Sequence, residues 1–222
     1  MPGDLKGLRF FVSKRYWRPR RAVQELSGRD PRFAALVAQV GTPSVELRDS
    51  TFGAVARSIA YQQLAGAAAS AIWARVLALF PEGEALDPVA FLRKRDATYR
   101  KAGLSGAKTK SMKSLARHVT RGDFDPANFY DQSDEEITAA LTKVWGIGEW
   151  SAQMHLIFSL GRLDVWPALD LGVRTGWAKF QRCKAPDAKK FIPLGDSYRP
   201  YRSVAAWYMW RVLDVEDWDG GD

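Results

Sequence analysis

The stretch Leu141–Leu171, LTKVWGIGEWSAQMHLIFSLGRLDVWPALDL, limits the possible folds of this chain more than any other. Gly146 and Gly148 flank one apolar residue, Ile147. Two glycines so placed permit a turn too tight for most side chains. The flanks predict helices. Ser133, Asp134, Glu135 and Glu136 spell a capping box, so a helix starts there and runs to about Val144. Glu149 to Leu160 is apolar on several faces (Trp150, Ala152, Met154, Leu156, Ile157, Leu160), which predicts a buried helix ended by Gly161. A hairpin between two helices leaves the unpaired amides of the second helix at its positive end, a ready anion site. A backbone that lies against a phosphate cannot carry a Cβ in the way, so a Gly-Ile-Gly hairpin suits one. A plain turn between packed helices is the alternative for an isolated Gly-x-Gly.

The rest of the chain is spelled in helices. Asp30-Pro31 opens one over Arg32–Val40, closed by Gly41. Phe52, Val55 and Ile59 share a helical face, followed by Tyr61-Gln62-Gln63-Leu64, and Ala67–Phe80 resumes the pattern after Gly66. Asp87-Pro88 caps Val89–Arg93, and an amphipathic helix carries Met112, Leu115 and Val119, with Ser105 a candidate N-cap. Two more helices are expected through Val173, Trp177 and Phe180 and over Val204–Leu213. The sum is an all-α chain, read as one domain over residues 1–222 with two helical lobes and a cleft between them.

The chain has 222 residues, with 33 Lys+Arg against 25 Asp+Glu and a formal net charge of +8. That balance favours a polyanionic partner without saying what is done to it. Residues 1–45 are basic. Lys6, Arg9, Lys14, Arg15, Arg18, Arg20 and Arg21 alternate there with Phe10, Phe11, Tyr16 and Trp17. This suits a nucleic-acid arm or a terminus whose aromatics dock on the body. The tail, Asp214–Asp222, is acidic and reads as solvated and frayed. The single cysteine, Cys183, excludes a disulfide framework and a four-cysteine cluster. No apolar run approaches the roughly 20 residues that span a membrane, and no signal peptide is visible. A monomer inside the cell, in cytoplasm or nucleoid, is the expectation.

The order helix, VWGIGEWSA, helix, then Pro167-x-x-Asp170-Leu-Gly resembles the helix-hairpin-helix DNA glycosylase superfamily. Further pieces carry the resemblance over residues 45–213. Gln62-Gln63-Leu64 matches a segment that borders the family's base pocket. Gly103-Leu104-Ser105-Gly106-x-Lys108 matches a loop that wedges into DNA, and the Pro200-to-Trp210 spelling matches the closing helix. The resemblance implies double-stranded DNA with a damaged base as the partner, and a base that leaves the stack at a cost of a few kcal/mol. Gly146, Ile147, Gly148, Ser151 and Lys108 are then the DNA-binding candidates. Leu104, Ser105 and Gly106 are equal candidates for the wedge. Trp150, Tyr61, Gln62 and Met154 are candidates for the base pocket; core packing is the other reading of Trp150.

Asp170 carries the expected chemistry. Breaking an N-glycosidic bond places positive charge on the sugar, and a carboxylate beside C1′ stabilises it and orients or deprotonates the attacking water. The other reading of Asp170 is an N-cap for the helix that follows. Asp164 is a rival carboxylate that does not match the family position. Bifunctional members carry a lysine two residues past the second glycine; here Trp150 stands there, so no Schiff-base lyase step is expected. The pattern resembles the monofunctional 3-methyladenine DNA glycosylase II branch of base excision repair. An electron-rich pocket there attracts cationic, alkylated purines by roughly 0.5–2 kcal/mol of cation–π energy. The same fold acting on deaminated or ethenoadenine lesions, and a non-catalytic DNA-binding module, are the alternatives. His118 and His155 read as helix surface or satisfied core. No cofactor is expected. The family's hairpin carbonyls can hold a monovalent cation against a phosphate.

Overall fold

The computed structural model describes residues 16–64, 66–81 and 86–220. Among them the architecture is helical. The exception is one antiparallel pair, β1 (Tyr16–Trp17) with β2 (Val45–Glu46), in which Tyr16 faces Glu46. The helices in chain order are α1 (Arg20–Arg29), α2 (Pro31–Val40), α3 (Phe52–Tyr61), α4 (Gly66–Leu77), α5 (Pro88–Arg93) and α6 (Asp96–Lys101). They continue as α7 (Gly106–Thr120), α8 (Asp134–Thr142), α9 (Glu149–Phe158), α10 (Leu171–Gln181), α11 (Ala188–Phe191) and α12 (Arg202–Arg211).

Their boundaries follow from local chemistry. Asp30 accepts the Arg32 amide with Pro31 at the first turn of α2, and Thr51, Asp87 and Ser105 cap α3, α5 and α7 in the same way. The capping box of α8 is complete: Ser133 Oγ accepts the Glu136 amide while Glu136 accepts the Ser133 amide at 2.8 Å. Gly161, at φ +70°, closes the turn after α9 in a conformation few side chains tolerate.

Two apolar cores give the two lobes. The first runs from Phe52 to Val165 and is built by α3 to α9. The second joins Trp17, Val23, Leu26, Phe33 and Leu36 from the start of the chain to Val173, Phe180, Tyr198 and Tyr208 from its end. Phe33 is its hub, with ring centroids 4.8 Å from Phe180 and 5.8 Å from both Tyr198 and Tyr208. Trp210 packs against both cores and so marks the seam.

The described part of the basic N-terminal segment follows the docked reading: it forms β1, α1 and α2, Trp17 enters the second core, and Arg29 donates to the Arg199 carbonyl at 2.7 Å. Lys6, Arg9, Phe10, Phe11, Lys14 and Arg15 lie outside the described residues. The tail is not frayed as far as Gly220. Trp218 stacks on Phe180 at 5.6 Å, and Arg182 holds the Asp219 carbonyl at 2.9 Å. Helices α1, α6 and the four-residue α11 are not anticipated from the sequence. In α1 the buried Ala22, Val23 and Leu26 are diluted by charge, and α6 spans six residues, too few to show a period. Among the described residues no helix is long and apolar enough to cross a membrane.

Candidate active site

The hairpin joins α8 to α9 and its two glycines have different jobs. Gly146 sits at φ +85°, and a Cβ there would lie 3.0 Å from Ser111 Oγ. It is glycine for the turn and for contact with α7. Gly148 has ordinary φ and ψ of −99° and 176°, and a Cβ there would meet nothing within 4 Å. Neither backbone nor packing in the free protein explains that glycine; an external group lying against it would. Gly148 is also the N-cap of α9 and offers no side chain to the first-turn amides. This leaves them for an outside acceptor. Ile147 anchors the loop by entering the first core, and its amide donates to the Val144 carbonyl at 3.0 Å.

Helix α7 braces the hairpin through residues that sequence reasoning missed. The Trp145 amide donates to Ser114 Oγ at 3.1 Å, and the Lys110 ammonium lies 4.1 Å from the exposed Trp145 ring. Their only sequence signal is that serines and lysines line the face of α7 that carries no apolar side chain.

Asp170 stands at the mouth of α10 with donors on both oxygens. Its Oδ1 accepts the Val173 amide at 2.8 Å and the Trp210 indole N–H at 3.0 Å; its Oδ2 accepts the Trp150 indole N–H at 2.7 Å. The N-cap reading is therefore correct as geometry, and it does not compete with a second role. A carboxylate fixed by a backbone amide and two indoles is preorganised, and its remaining lone pairs are directed by those partners. Trp150 is 40% exposed, so it is not core. Trp210 is half-buried and stacks near Phe158, with centroids 5.7 Å apart. Trp210 also packs against both cores, and nothing local in the sequence reports its carboxylate partner forty residues away. Tyr61, Met154 and Phe158 are half-buried against the first core, and of the three Phe158 is the one in ring contact with Trp210. Gln62 Nε2 donates to Ser151 Oγ at 3.2 Å, which ties the turn after α3 to the first turn of α9. The Arg57 guanidinium covers the Tyr61 ring at 3.9 Å.

Other candidates are redistributed. Leu104 is 3% exposed and belongs to the first core, so it does not reach out as a wedge. Ser105 is spent as the α7 N-cap, at 3.2 Å from the Lys108 amide, and Gly106 opens that helix. Leu64, at the end of the turn after α3, is an exposed apolar side chain, 40% exposed, next to Gln63 at φ +54°. A left-handed glutamine in a tight interhelical turn marks local strain of the kind found at functional sites. Lys108 is a strut: its ammonium donates to the Ala60 carbonyl at 2.7 Å, and burial lowers its pKa.

Asp164 is occupied by two arginines, Arg199 and Arg202, each at 2.8 Å, so neither arginine is free for a phosphate. A cavity of about 740 Å³ opens beside them and takes in Glu149 and Gln153, but it includes neither Trp150 nor Asp170. Asp164, Arg199 and Arg202 in its lining are committed to one another, whereas Asp170 is held by donors on both oxygens. His155 is buried; its Nε2 lies 3.0 Å from Ser50 Oγ, and burial pushes its pKa down to about 4. His118 pairs with Asp123 at 2.7 Å on the surface of α7. Neither histidine is among the hydrogen-bond partners of Asp170. Among the described residues no group of three or more His, Cys, Asp or Glu stands ready to hold a metal ion.

The family is decided by a match of residues 56–193 to the model described as HhH-GPD superfamily base excision DNA repair protein. The chain belongs to this superfamily. DNA-3-methyladenine glycosylase 1 of Schizosaccharomyces pombe is 33% identical over 204 residues, which is 89% of this chain and 89% of that protein. The alkylbase DNA glycosidase-like protein mag2 of the same yeast is 27% identical over 200 residues, covering 87% of this chain and 93% of that one. Among solved structures, a DNA-3-methyladenine glycosidase from Bacillus halodurans superposes with TM-score 0.79 at 31% identity, covering 92% of this chain and 96% of that one. The S. pombe 3-methyladenine DNA glycosylase Mag1 in complex with abasic DNA gives 0.74 at 33%, covering 86% and 95%. Two residues past the second hairpin glycine this chain carries Trp150, not lysine.

Proposed function

We propose that this protein is a monofunctional DNA glycosylase that removes alkylated purines from double-stranded DNA. The observation that carries the reading is Asp170, held by two indoles at 2.7 and 3.0 Å beside a hairpin whose second glycine faces open space. The backbone at Gly146, Ile147 and Gly148 takes a phosphate, with Ser151 behind it. Leu64 and Gln63 fill the gap in the stack. The everted base enters among Trp150, Trp210, Tyr61, Gln62 and Met154. The C1′–N bond then breaks, its electron pair leaves with the base, and Asp170 stabilises the positive sugar. Water adds to C1′, gives up one proton to Asp170 or to solvent, and yields an abasic site. A cationic N-alkylated purine leaves as a neutral base, so it asks for little acid catalysis. That suits a site with no histidine among the hydrogen-bond partners of Asp170. Trp150 at the lysine position supports hydrolysis without strand scission. The reading includes no prosthetic group; a monovalent cation at the hairpin carbonyls, a chain working as a monomer and a place in the cytoplasm or nucleoid belong to the same proposal. Supporting evidence is the similarity to proteins named as 3-methyladenine glycosylases.

The test is a panel of duplexes, each with one defined lesion. Release of 3-methyladenine or 7-methylguanine, with abasic sites and no strand break before alkali, is the expected result. DNA binding without release from any lesion would leave only a DNA-clasping module.

A further inference from the structure

We infer that Gly172 is a positioning residue for Asp170, acting through the indole of Trp210. Gly172 is the second residue of α10, and its φ is not in the left-handed region, so the backbone does not ask for glycine. Glycine loses more conformational freedom on folding than alanine would, so another demand holds it there. The demand is space. A Cβ at Gly172 would lie 3.0 Å from Asp170 Oδ1, 3.0 Å from Trp210 Cδ1 and 3.1 Å from Trp210 Nε1. Those atoms are the two ends of the Trp210-to-Asp170 hydrogen bond. One turn further, a Cβ at Gly176 would lie 1.7 Å from the Met209 carbonyl oxygen. The two glycines thus share a face on which α12 rests. Gly176 lets the helix backbones meet, and Gly172 lets the residue after Met209 reach the carboxylate.

The consequence concerns the reaction and rests on the glycosylase reading above. Oδ1 is anchored from inside the protein by the Val173 amide and Trp210, while Oδ2 is held by the exposed Trp150. An entering base can displace Trp150 from Oδ2 without loosening the anchor. A side chain at position 172 would require Trp210 or the carboxylate to give by a few tenths of an ångström, and a small misplacement of a reacting group is costly in rate.

The test uses the full chain with Gly172→Ala, Trp210→Phe and the double variant. The readouts are single-turnover base release, affinity for an abasic-analogue duplex, and indole 1H–15N spectra with the Trp210 cross-peak assigned by its loss in Trp210→Phe. Losing one hydrogen bond to a charged group predicts release about tenfold slower or more in each single variant, with duplex affinity held within about threefold. The Trp210 cross-peak moves in Gly172→Ala, and Gly172→Ala adds nothing in the Trp210→Phe background. An unmoved cross-peak, wild-type release in either single variant, or factors that multiply in the double variant would overturn the inference. Trp210→Phe decides the matter if Gly172→Ala fails to fold. A wild-type protein that releases no base defeats the glycosylase reading instead, and the cross-peak still decides the contact.

Discussion

Alanine at each hairpin glycine separates folding from DNA binding. Gly146→Ala forces a side chain into φ +85° and places its Cβ 3.0 Å from Ser111 Oγ. Left-handed strain of roughly 1–2 kcal/mol, with a shifted serine on top, gives about 2–3 kcal/mol of lost stability. For a chain of this size that lowers Tm by about 4–12 °C. Gly148→Ala meets nothing within 4 Å and keeps an ordinary φ of −99°. Alanine is the poorer N-cap by roughly half a kcal/mol, and it recovers a similar amount by restricting the unfolded chain. Stability should stay within about 0.5 kcal/mol of wild type. Affinity should not, because the new methyl stands where a phosphate would lie. Losing one amide-to-phosphate bond costs about 1.5–3 kcal/mol, or at least tenfold in Kd. Thermal unfolding and fluorescence anisotropy on an abasic-analogue duplex read the two effects. If Gly148→Ala binds as wild type does, or loses as much Tm as Gly146→Ala, the assignment of the hairpin is wrong.

Two further outcomes follow from the same geometry. Burial lowers the His155 pKa to about 4 from the usual 6.5, so the unfolded chain binds the proton more tightly. Stability therefore falls as pH drops from about 6.5 towards 4, by about 2 kcal/mol at pH 5 relative to pH 7; urea unfolding of His155→Gln should lack this component, and an unchanged pH slope would contradict the burial argument. Leu64→Ala should slow release from fully paired duplexes by about tenfold yet barely affect a lesion placed opposite a gap, where little pairing has to be broken. Equal slowing on both substrates would show that Leu64 does not fill the vacated stack.

What could be read from the sequence was local. The hairpin, the capping box at Ser133 and the cap at Asp170 are each written within a few neighbouring residues, and all three are present. Leu104 shows the opposite case. Its loop spelling was informative, but the direction of its side chain is set by the core it enters, and no motif reports that. Trp210 was hidden because its partner lies forty residues earlier and the contact needs a glycine on a third position, Gly172. Trp218 shows the same limit. An acidic, glycine-rich tail reads as solvated until Phe180 offers it a face.

The most direct measurement of the central claim is single-turnover base release by Asp170→Asn from a duplex carrying one alkylated purine. Asparagine caps a helix as well as aspartate does, and its carbonyl can keep the Val173 and Trp210 donors, so fold and DNA affinity should hold. Its amide cannot accept from Trp150 and carries no charge for the sugar. We expect release slower by roughly 10²–10³ or more, by analogy with removing one preorganised electrostatic stabiliser. Release at the wild-type rate from a folded, DNA-binding Asp170→Asn protein would contradict the account.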